Sequence, residues 1–177
     1  MKYPIGIQSF DQIINEGYLY IDKTKLIYDL VHNGKIYFLS RPRRFGKSLL
    51  VSTLECYFQG RKELFKGLDI DSLEKEWKEY PVFHIDFNGK NFTEGGELEK
   101  TLKDPFHDTL GDRFSFILKA AHEKTGQRAV VLIDEYDKPL LDVMDLDMYV
   151  TINESKITLE EYNRNTLKSF YSVFKEA

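Results

Sequence analysis

The residues best suited to chemistry in this chain are a glycine, a lysine and a serine in a row, at Gly46, Lys47 and Ser48. A glycine lets the backbone approach a phosphate closely, because no Cβ stands in the way. A lysine ammonium binds phosphate oxygens as a point charge, and a serine hydroxyl is a ligand for Mg²⁺. Together they form the second half of the pattern G-x-x-x-x-G-K-[ST], which holds the phosphates of a nucleotide.

The first half of this pattern is altered, because Arg41 stands where the first glycine is expected. That glycine mainly permits the turn out of the preceding strand. Pro42 biases Arg41 towards extended geometry, so we expect the chain to leave the strand straight and to bend later. A basic surface turn that contains Gly-Lys-Ser by coincidence is the alternative interpretation. The predicted phosphate-binding loop consists of Arg41, Pro42, Arg43, Arg44, Phe45, Gly46, Lys47 and Ser48.

A pair of acids, Asp134 and Glu135, follows the apolar run at 129–133. Such a run is typical of a strand buried on both faces. In the Walker B arrangement, an acid that ends a strand beside the phosphate-binding loop lies near Mg²⁺, often through water. We therefore predict a metal role for Asp134, and for Glu135 the role of polarising an attacking water as a general base. For this pair alone, a solvated turn is the alternative.

Two further acids are weaker candidates for the same site. Asp86 falls at the carboxyl end of a second predicted strand, the edge where open α/β sheets bind ligands. It either orients a water or a contact to Mg²⁺, or it caps the following loop, and the sequence favours neither. Asp137 and Lys138 are candidate contacts for a γ-phosphate or for a neighbouring subunit.

The elements that must position these residues are predicted from the apolar pattern. The run at 36–39 indicates a buried strand over 35–40, and the apolar spacing after Ser48 indicates a helix that Gly60 ends. Strands at 81–87 and 129–134 complete the pattern of an α/β domain with a parallel sheet, in which the strands 35–40 and 129–134 are neighbours. The stretch 142–156 is expected to be irregular.

Composition restricts the classes of function. The chain has 177 residues, enough for a single domain over 1–177, and its net charge of −4 argues against a general nucleic-acid-binding surface. Cys56 is the one cysteine, so no internal disulfide forms, and we expect a buried reduced thiol. No apolar run approaches the ~20 residues that cross a bilayer, and the beginning of the chain has no signal-peptide core. The expected location is cytoplasmic, without a membrane partner.

The segments YLYIDKT, FLSRPRRFGKSLL, PVFHIDF and VVLIDEYDKPLL occur in this order, and with them the chain resembles the bacterial AAA-ATPase-like family. RPRRFGKS and DEYDKP are the most specific of these motifs. The resemblance implies a P-loop NTPase three-layer sandwich that takes ATP and Mg²⁺. It also implies nucleotide contacts along 41–48, Mg²⁺ at Ser48 and Asp134, and catalytic roles for Lys47 and Glu135. By analogy with P-loop ATPases, residues 1–34 form a helical lead-in that packs near the nucleotide.

The chain departs from the family at its end. Family members typically continue with a further apolar strand that carries a polar sensor residue, and then with a PD-(D/E)XK nuclease-like domain. We therefore expect the N-terminal part of the ATPase domain, incomplete at its C-terminus, with nucleic-acid contacts only through the absent domain. Binding is expected to survive this loss better than hydrolysis, which needs the γ-phosphate surrounded.

The predicted function is Mg²⁺-dependent ATP binding with weak or absent ATP hydrolysis. Two alternatives stay open at this point. One is a nucleotide-dependent regulatory module without turnover, which acts through a second copy of the chain or through another protein. The other is a nucleic-acid-binding module that places Arg41, Arg43 and Arg44 on a backbone phosphate.

Overall fold

The computed structural model describes residues 2–40, 45–93, 98, 110–152 and 154–175. Arg41, Pro42, Arg43 and Arg44 of the predicted phosphate-binding loop lie outside these residues. The chain divides into two compact units, Met1–His84 with Thr125–Asp134, and Ile85–Lys124 with Glu135–Ala177. We refer to them as the first and the second unit.

The first unit contains short helices and a small sheet. Its sheet has two parallel strands, β1 and β2, and β1 continues into the second unit. The elements in chain order are α1 (Phe10–Asn15), α2 (Thr24–Asn33), α3 (Lys47–Phe58), a 3-10 helix (Lys62–Phe65), α4 (Asp69–Leu73), β1 (Val82–Asp86) and β2 (Val130–Asp134).

Short polar side chains fix where these helices begin. Ser9 is the N-cap of α1, and its hydroxyl accepts a hydrogen bond from the backbone N–H of Gln12, as N-cap serines do. The Asp22 carboxylate accepts a hydrogen bond of 2.8 Å from the backbone N–H of Thr24 at the start of α2. The hydroxyl of the fully buried Thr24 in turn accepts a hydrogen bond of 3.1 Å from the N–H of Ile70 in α4. The starts of α2 and α4 are therefore tied together.

The core of the first unit is built on α3 and aromatic side chains. Phe10 and Phe65 are fully buried, with ring centroids 4.9 Å apart. Leu54 and Tyr57 of α3 join the same cluster, as does Leu132 of β2. Burial of such large apolar side chains is the dominant favourable term in folding. The hydrophobic cluster thus holds α3 and β2 in one packed body.

The prediction of a buried strand over 35–40 is wrong. Residues 36–40 are neither helix nor strand, and the side chains of Ile36 and Phe38 are 68% and 74% exposed. The Tyr37 hydroxyl donates a 2.7 Å hydrogen bond to the Leu30 carbonyl, so this segment returns towards α2. An apolar run forms a buried strand only where neighbouring strands pair with it. The sheet neighbour of β2 is β1, and no described strand pairs with 36–40.

The second unit contains helices and a hairpin. The hairpin strands are antiparallel, with Tyr149 opposite Thr158 and Ile152 opposite Ser155. The expectation that 142–156 is irregular is therefore wrong for its second half, where Val150 and Ile157 pair across the hairpin. The elements are α5 (Leu110–Thr125), α6 (Lys138–Leu141), β3 (Tyr149–Ile152), β4 (Ser155–Thr158), α7 (Leu159–Ser172) and a 3-10 helix (Val173–Lys175).

Helix α7 is the centre of the second unit. Its N-cap Thr158 accepts a hydrogen bond of 3.1 Å from the Glu161 N–H, as the capping-box pattern indicates. Phe170 is 1% exposed, and its ring lies 4.9 Å from that of Phe114. The buried Asn163 amide donates a hydrogen bond of 2.9 Å to the Pro139 carbonyl, and this bond fixes the first turn of α6 to α7. None of the helices in the described part of the chain has the length and apolar character that a bilayer crossing requires.

Candidate functional site

The first half of the site is the start of α3. Gly46 is its N-cap and has a left-handed backbone with φ of 73°, while Lys47 is the first helical residue. A Cβ at Gly46 would meet nothing within 4 Å, so glycine is needed there for its conformation and not for lack of space. Lys47 and Ser48 are half-buried, and Phe45 is exposed. The backbone N–H groups of the first helical turn, at the positive end of the helix dipole, are suited to bind phosphate.

The second half of the site is the end of β2. Asp134 is its last residue and is 7% exposed, although it carries a carboxylate. Helix α3 packs against β2, with Leu54 and Leu132 in one cluster. The helix that begins with the lysine and the serine therefore lies against the strand that ends in the first acid. A buried acid at a strand end needs polar or ionic partners.

The backbone at Glu135 is unusual. It has a φ of 51°, one of three positive values at non-glycine positions in the described chain. This left-handed conformation costs roughly 1–2 kcal/mol for a residue with a Cβ. The Glu135 carbonyl accepts a 3.0 Å hydrogen bond from the Lys138 N–H, which closes the turn before α6. Strained backbone is often found where a side chain must point in one direction for function.

Asp137 precedes α6 and has a buried carboxylate oxygen, Oδ1, without a hydrogen-bond partner among the described residues. Burial, with smaller contributions from the charges of Asp137 and Tyr136, raises the pKa of the neighbouring Tyr171 to about 12. Lys138 is engaged within its own unit, since its ammonium forms a 2.5 Å ion pair with Asp142. Its Nζ also lies 5.8 Å from the centre of the Phe92 ring. Asp137 thus keeps capacity to accept a hydrogen bond, while Lys138 already has partners.

Asp86 lies at the end of β1, as expected, and it caps the loop that follows. Its carboxylate accepts a 2.8 Å hydrogen bond from the Asn88 N–H. Of the two roles that the sequence left open, this contact favours loop capping. His84 in the same strand bonds Glu55 of α3 at 2.9 Å, so it is a hydrogen-bonded strand residue.

The residues predicted to hold Mg²⁺ are Ser48 and Asp134. Among the described residues there is no cluster of three or more acids, histidines or cysteines that would form a metal site on its own. Mg²⁺ at a nucleotide needs only one or two protein ligands, because phosphate oxygens and waters supply the rest. A hydroxyl at the start of α3 and a buried carboxylate at the end of β2 fit that donor set.

The N-terminal lead-in packs on the same helix. Helix α1 lies against α3, and the Phe10 N–H donates a 2.9 Å hydrogen bond to the Ser52 hydroxyl. Ser52 follows Ser48 by one helical turn. That the segment 1–34 lies near a nucleotide stays a prediction, as do the site roles along 41–48. Two features of the site could not be read from the sequence. Glutamate is not typical of the left-handed backbone found at Glu135, and aspartate is not typical of the burial found at Asp137.

Comparison with known proteins gives the family. Residues 4–177 match the model of the AAA-ATPase-like family, which is described as "Predicted AAA-ATPase". In an alignment 190 residues long, the chain is 37% identical to a protein of Azotobacter chroococcum mcd 1 named "Uncharacterized protein in vnfD 5'region". That alignment covers 99% of this chain and 35% of the relative, so this chain spans about a third of the relative's length. No solved structure matches the chain. Because the family model covers almost all of its residues, the chain belongs to the predicted AAA-ATPase-like family.

Proposed function

We propose that this chain binds ATP together with Mg²⁺ and hydrolyses it weakly. The observation that carries the proposal is the packing of α3, which begins at Lys47 after a left-handed glycine, against β2, which ends in the buried Asp134. A phosphate-binding helix start and an acid at the end of a neighbouring strand are the two halves of a Mg²⁺-nucleotide site.

Each residue of the loop has its own role in the proposal. The N–H groups after Gly46 surround the β-phosphate, and Lys47 neutralises the β- and γ-phosphate oxygens. Ser48 is a direct Mg²⁺ ligand, while Asp134 binds the ion directly or through a water. The arginines 41, 43 and 44 add positive charge to the same loop.

Glu135 is the proposed general base for the attacking water. Full turnover needs donors that surround the γ-phosphate as charge develops on it. We propose that the longer relatives supply such donors from the part of their length that this chain does not match. For this chain we therefore expect saturable ATP binding with slow ATP hydrolysis.

Isothermal titration calorimetry with ATP and GTP, with and without Mg²⁺, tests the proposal. We expect saturable, Mg²⁺-dependent ATP binding, and a loss of about tenfold or more in affinity for Lys47→Ala, since a charged hydrogen bond to phosphate contributes ~1.5–3 kcal/mol. Lys168→Ala is the matched control, because Lys168 is an exposed lysine of α7. Equal ATP affinity of Lys47→Ala and wild type would overturn the proposed site.

A second measurement separates binding from turnover. Phosphate release at saturating ATP is expected to be slow but above that of Lys47→Ala. Saturable binding with no phosphate release would restrict the function to a nucleotide-dependent switch. Steeply salt-dependent DNA binding that ATP does not affect would favour the nucleic-acid alternative instead.

A further inference from the structure

A cavity in the first unit lies apart from the predicted phosphate site. It has a volume of about 220 Å³. Tyr57 lies on its wall, about ten residues and therefore about 15 Å along α3 from Lys47. At about 30 Å³ per molecule in liquid water, the cavity holds about seven waters, so it suits a small group and not a nucleotide. Its walls combine aromatic rings with charged side chains and include Tyr28, His32, Tyr57, Glu74, Trp77 and Tyr80.

The His32 ring and the Glu74 carboxylate face each other in this cavity at a distance too long for a hydrogen bond. The His32 Nδ1 lies 2.8 Å from the Tyr28 carbonyl, which can only accept, so Nδ1 carries the hydrogen. In the neutral ring, Nε2 is then an acceptor, and it lies 4.0 Å from Glu74 Oε2. One nitrogen can donate two hydrogen bonds of about 2.8 Å, with an angle of roughly 90–110° between them. The two acceptors then lie about 4.0–4.6 Å apart. The pair is therefore spaced for one nitrogen that donates to both.

The charge at Glu74 favours a cationic donor. Glu74 is 8% exposed. Burial alone would raise its pKa, but the hydrogen bonds from the Tyr57 hydroxyl, at 2.5 Å, and from the Glu76 N–H, at 2.8 Å, outweigh burial and hold the pKa below its usual range. The carboxylate is thus negatively charged at neutral pH. The faces of aromatic rings also attract cations.

The other charged groups on the cavity wall have partners nearby. The Lys75 ammonium donates a hydrogen bond of 2.7 Å to the Ser72 carbonyl, and the Lys78 ammonium forms an ion pair of 2.6 Å with the Glu76 carboxylate. The basic group nearest to Glu74 among the described residues is the His32 ring, whose Nε2 lies 4.0 Å from Oε2 and so beyond hydrogen-bond distance. The Trp77 Nε1–H is buried and has no hydrogen-bond partner in the described part of the chain.

We propose that this cavity binds an ammonium or guanidinium group, which donates to Glu74 and His32 and lies against the rings of Tyr28, Tyr57 and Trp77. Such a group comes either from a small free amine or guanidine, or from a lysine or arginine side chain of a peptide. The site is separate from the proposed ATP site and does not depend on it.

Trp77 is the one tryptophan of the chain, so its indole N–H gives a single, assigned signal in a ¹H–¹⁵N spectrum. The probes are n-butylammonium, n-butylguanidinium, and capped lysine and arginine amides, with n-butanol and butyrate as the neutral and anionic controls. We expect a saturable shift of the Trp77 signal with the cations at constant ionic strength, and none with the controls. Tighter binding of the capped amino acids than of the butyl cations identifies a peptide side chain as the source, and the reverse order identifies a free small molecule.

Glu74→Gln is expected to weaken cation binding about tenfold or more, as the loss of a charged hydrogen bond does. Glu63→Gln is the matched control, because its carboxylate is 69% exposed on the neighbouring 3-10 helix. Should Glu74→Gln not fold, His32→Phe keeps a ring beside Tyr28 but removes the second acceptor, and it is expected to weaken binding too. Lys47→Ala is expected to bind the cations like wild type, which separates this site from the ATP site.

Three results would overturn the proposal. They are a Trp77 shift that does not saturate with any cation, an equal shift with n-butanol or butyrate, and unchanged cation affinity in the folded Glu74→Gln or His32→Phe variant.

Discussion

The carboxylate of Asp22 accepts a hydrogen bond of 2.7 Å from the backbone N–H of Asp69, 47 residues later in the chain. The same carboxylate accepts 2.8 Å from the Thr24 N–H, so one side chain satisfies the first turns of both α2 and α4. Helix starts leave several N–H groups without partners, and a shared acceptor relieves two ends at once.

The first prediction follows from this shared cap. Asp22→Ala is expected to lower the free energy of unfolding by about 1–3 kcal/mol, since the N–H groups of the buried Thr24 and of the exposed Asp69 both lose a charged acceptor. Urea unfolding followed by Trp77 fluorescence measures the change. Asp29→Ala is the control, because Asp29 is an exposed aspartate within α2, and it is expected to change stability little. Equal stability of the two variants would show that the shared cap contributes nothing.

The second prediction concerns pH. Burial would raise the pKa of Asp22, but the hydrogen bonds from Thr24 and Asp69 outweigh it and hold the pKa below its ordinary value. A carboxyl whose pKa is lowered by folding stabilises the folded state above its unfolded pKa, which is ~3.9 for aspartate, and this contribution is lost as pH falls through the folded pKa. Unfolding free energies of wild type and Asp22→Asn are therefore expected to converge below about pH 4 and to differ at pH 7. A difference that is constant from pH 7 to pH 3 would contradict this assignment.

The third prediction concerns the glycine at the start of α3. Gly46→Ala is expected to cost roughly 1–2 kcal/mol of stability, because its φ of 73° is left-handed and a Cβ is strained there. The variant is also expected to weaken ATP binding. Gly89→Ala is the matched control, since a Cβ there meets nothing within 4 Å and its φ is not left-handed. Calorimetry and urea unfolding of the two variants measure both effects, and similar results for both would remove the special role of Gly46.

The fourth prediction separates conformation from chemistry at Glu135. Glu135→Gly is expected to raise stability by up to about 1 kcal/mol, because glycine adopts the φ of 51° without strain. Its phosphate release is expected to fall about 10²-fold or more, as for loss of a general base, with ATP binding retained. Glu154→Gly, at a φ of 67° in the hairpin turn, is expected to relieve strain without affecting turnover. Unchanged phosphate release in Glu135→Gly would remove the catalytic role of this acid.

The fifth prediction concerns Cys56. Burial raises the pKa of its thiol to about 11, and the side chain is 4% exposed. Because the thiolate is the reactive form, labelling by iodoacetamide at pH 7.5 is expected to be slow in the folded chain and fast in urea. Mass spectrometry of quenched samples measures both rates. Equally fast labelling without urea would show that the first unit opens readily around α3.

The parts of the fold with local signals were predictable from the sequence. The N-cap Thr158 and the strands at 82–86 and 130–134 follow from a capping-box pattern and from apolar runs that end in acids. Cys56 is buried, as expected from its place on α3. These features are decided within a few residues of chain, so a single sequence carries them.

Features that depend on distant partners were not predictable. The run at 36–39 has the composition of a buried strand, yet strand formation depends on which strands pair, and β1 lies beside β2. The hairpin Tyr149–Ile152 with Ser155–Thr158 lies in an acidic stretch whose turn has no glycine. For the site, the helix after Ser48 and the strand that ends in Asp134 were expected from the two motifs, whereas the roles of Lys47, Ser48, Asp134 and Glu135 stay predictions.

The exposed side chains of Ile36 and Phe38 set a practical condition for work with this protein. Extended apolar backbone that faces solvent is a template on which other chains add strands, and such stretches start aggregation. Preparations are therefore best kept dilute and checked by light scattering before any titration. The colloidal behaviour of this polypeptide is then set by a stretch directly ahead of the predicted phosphate-binding loop.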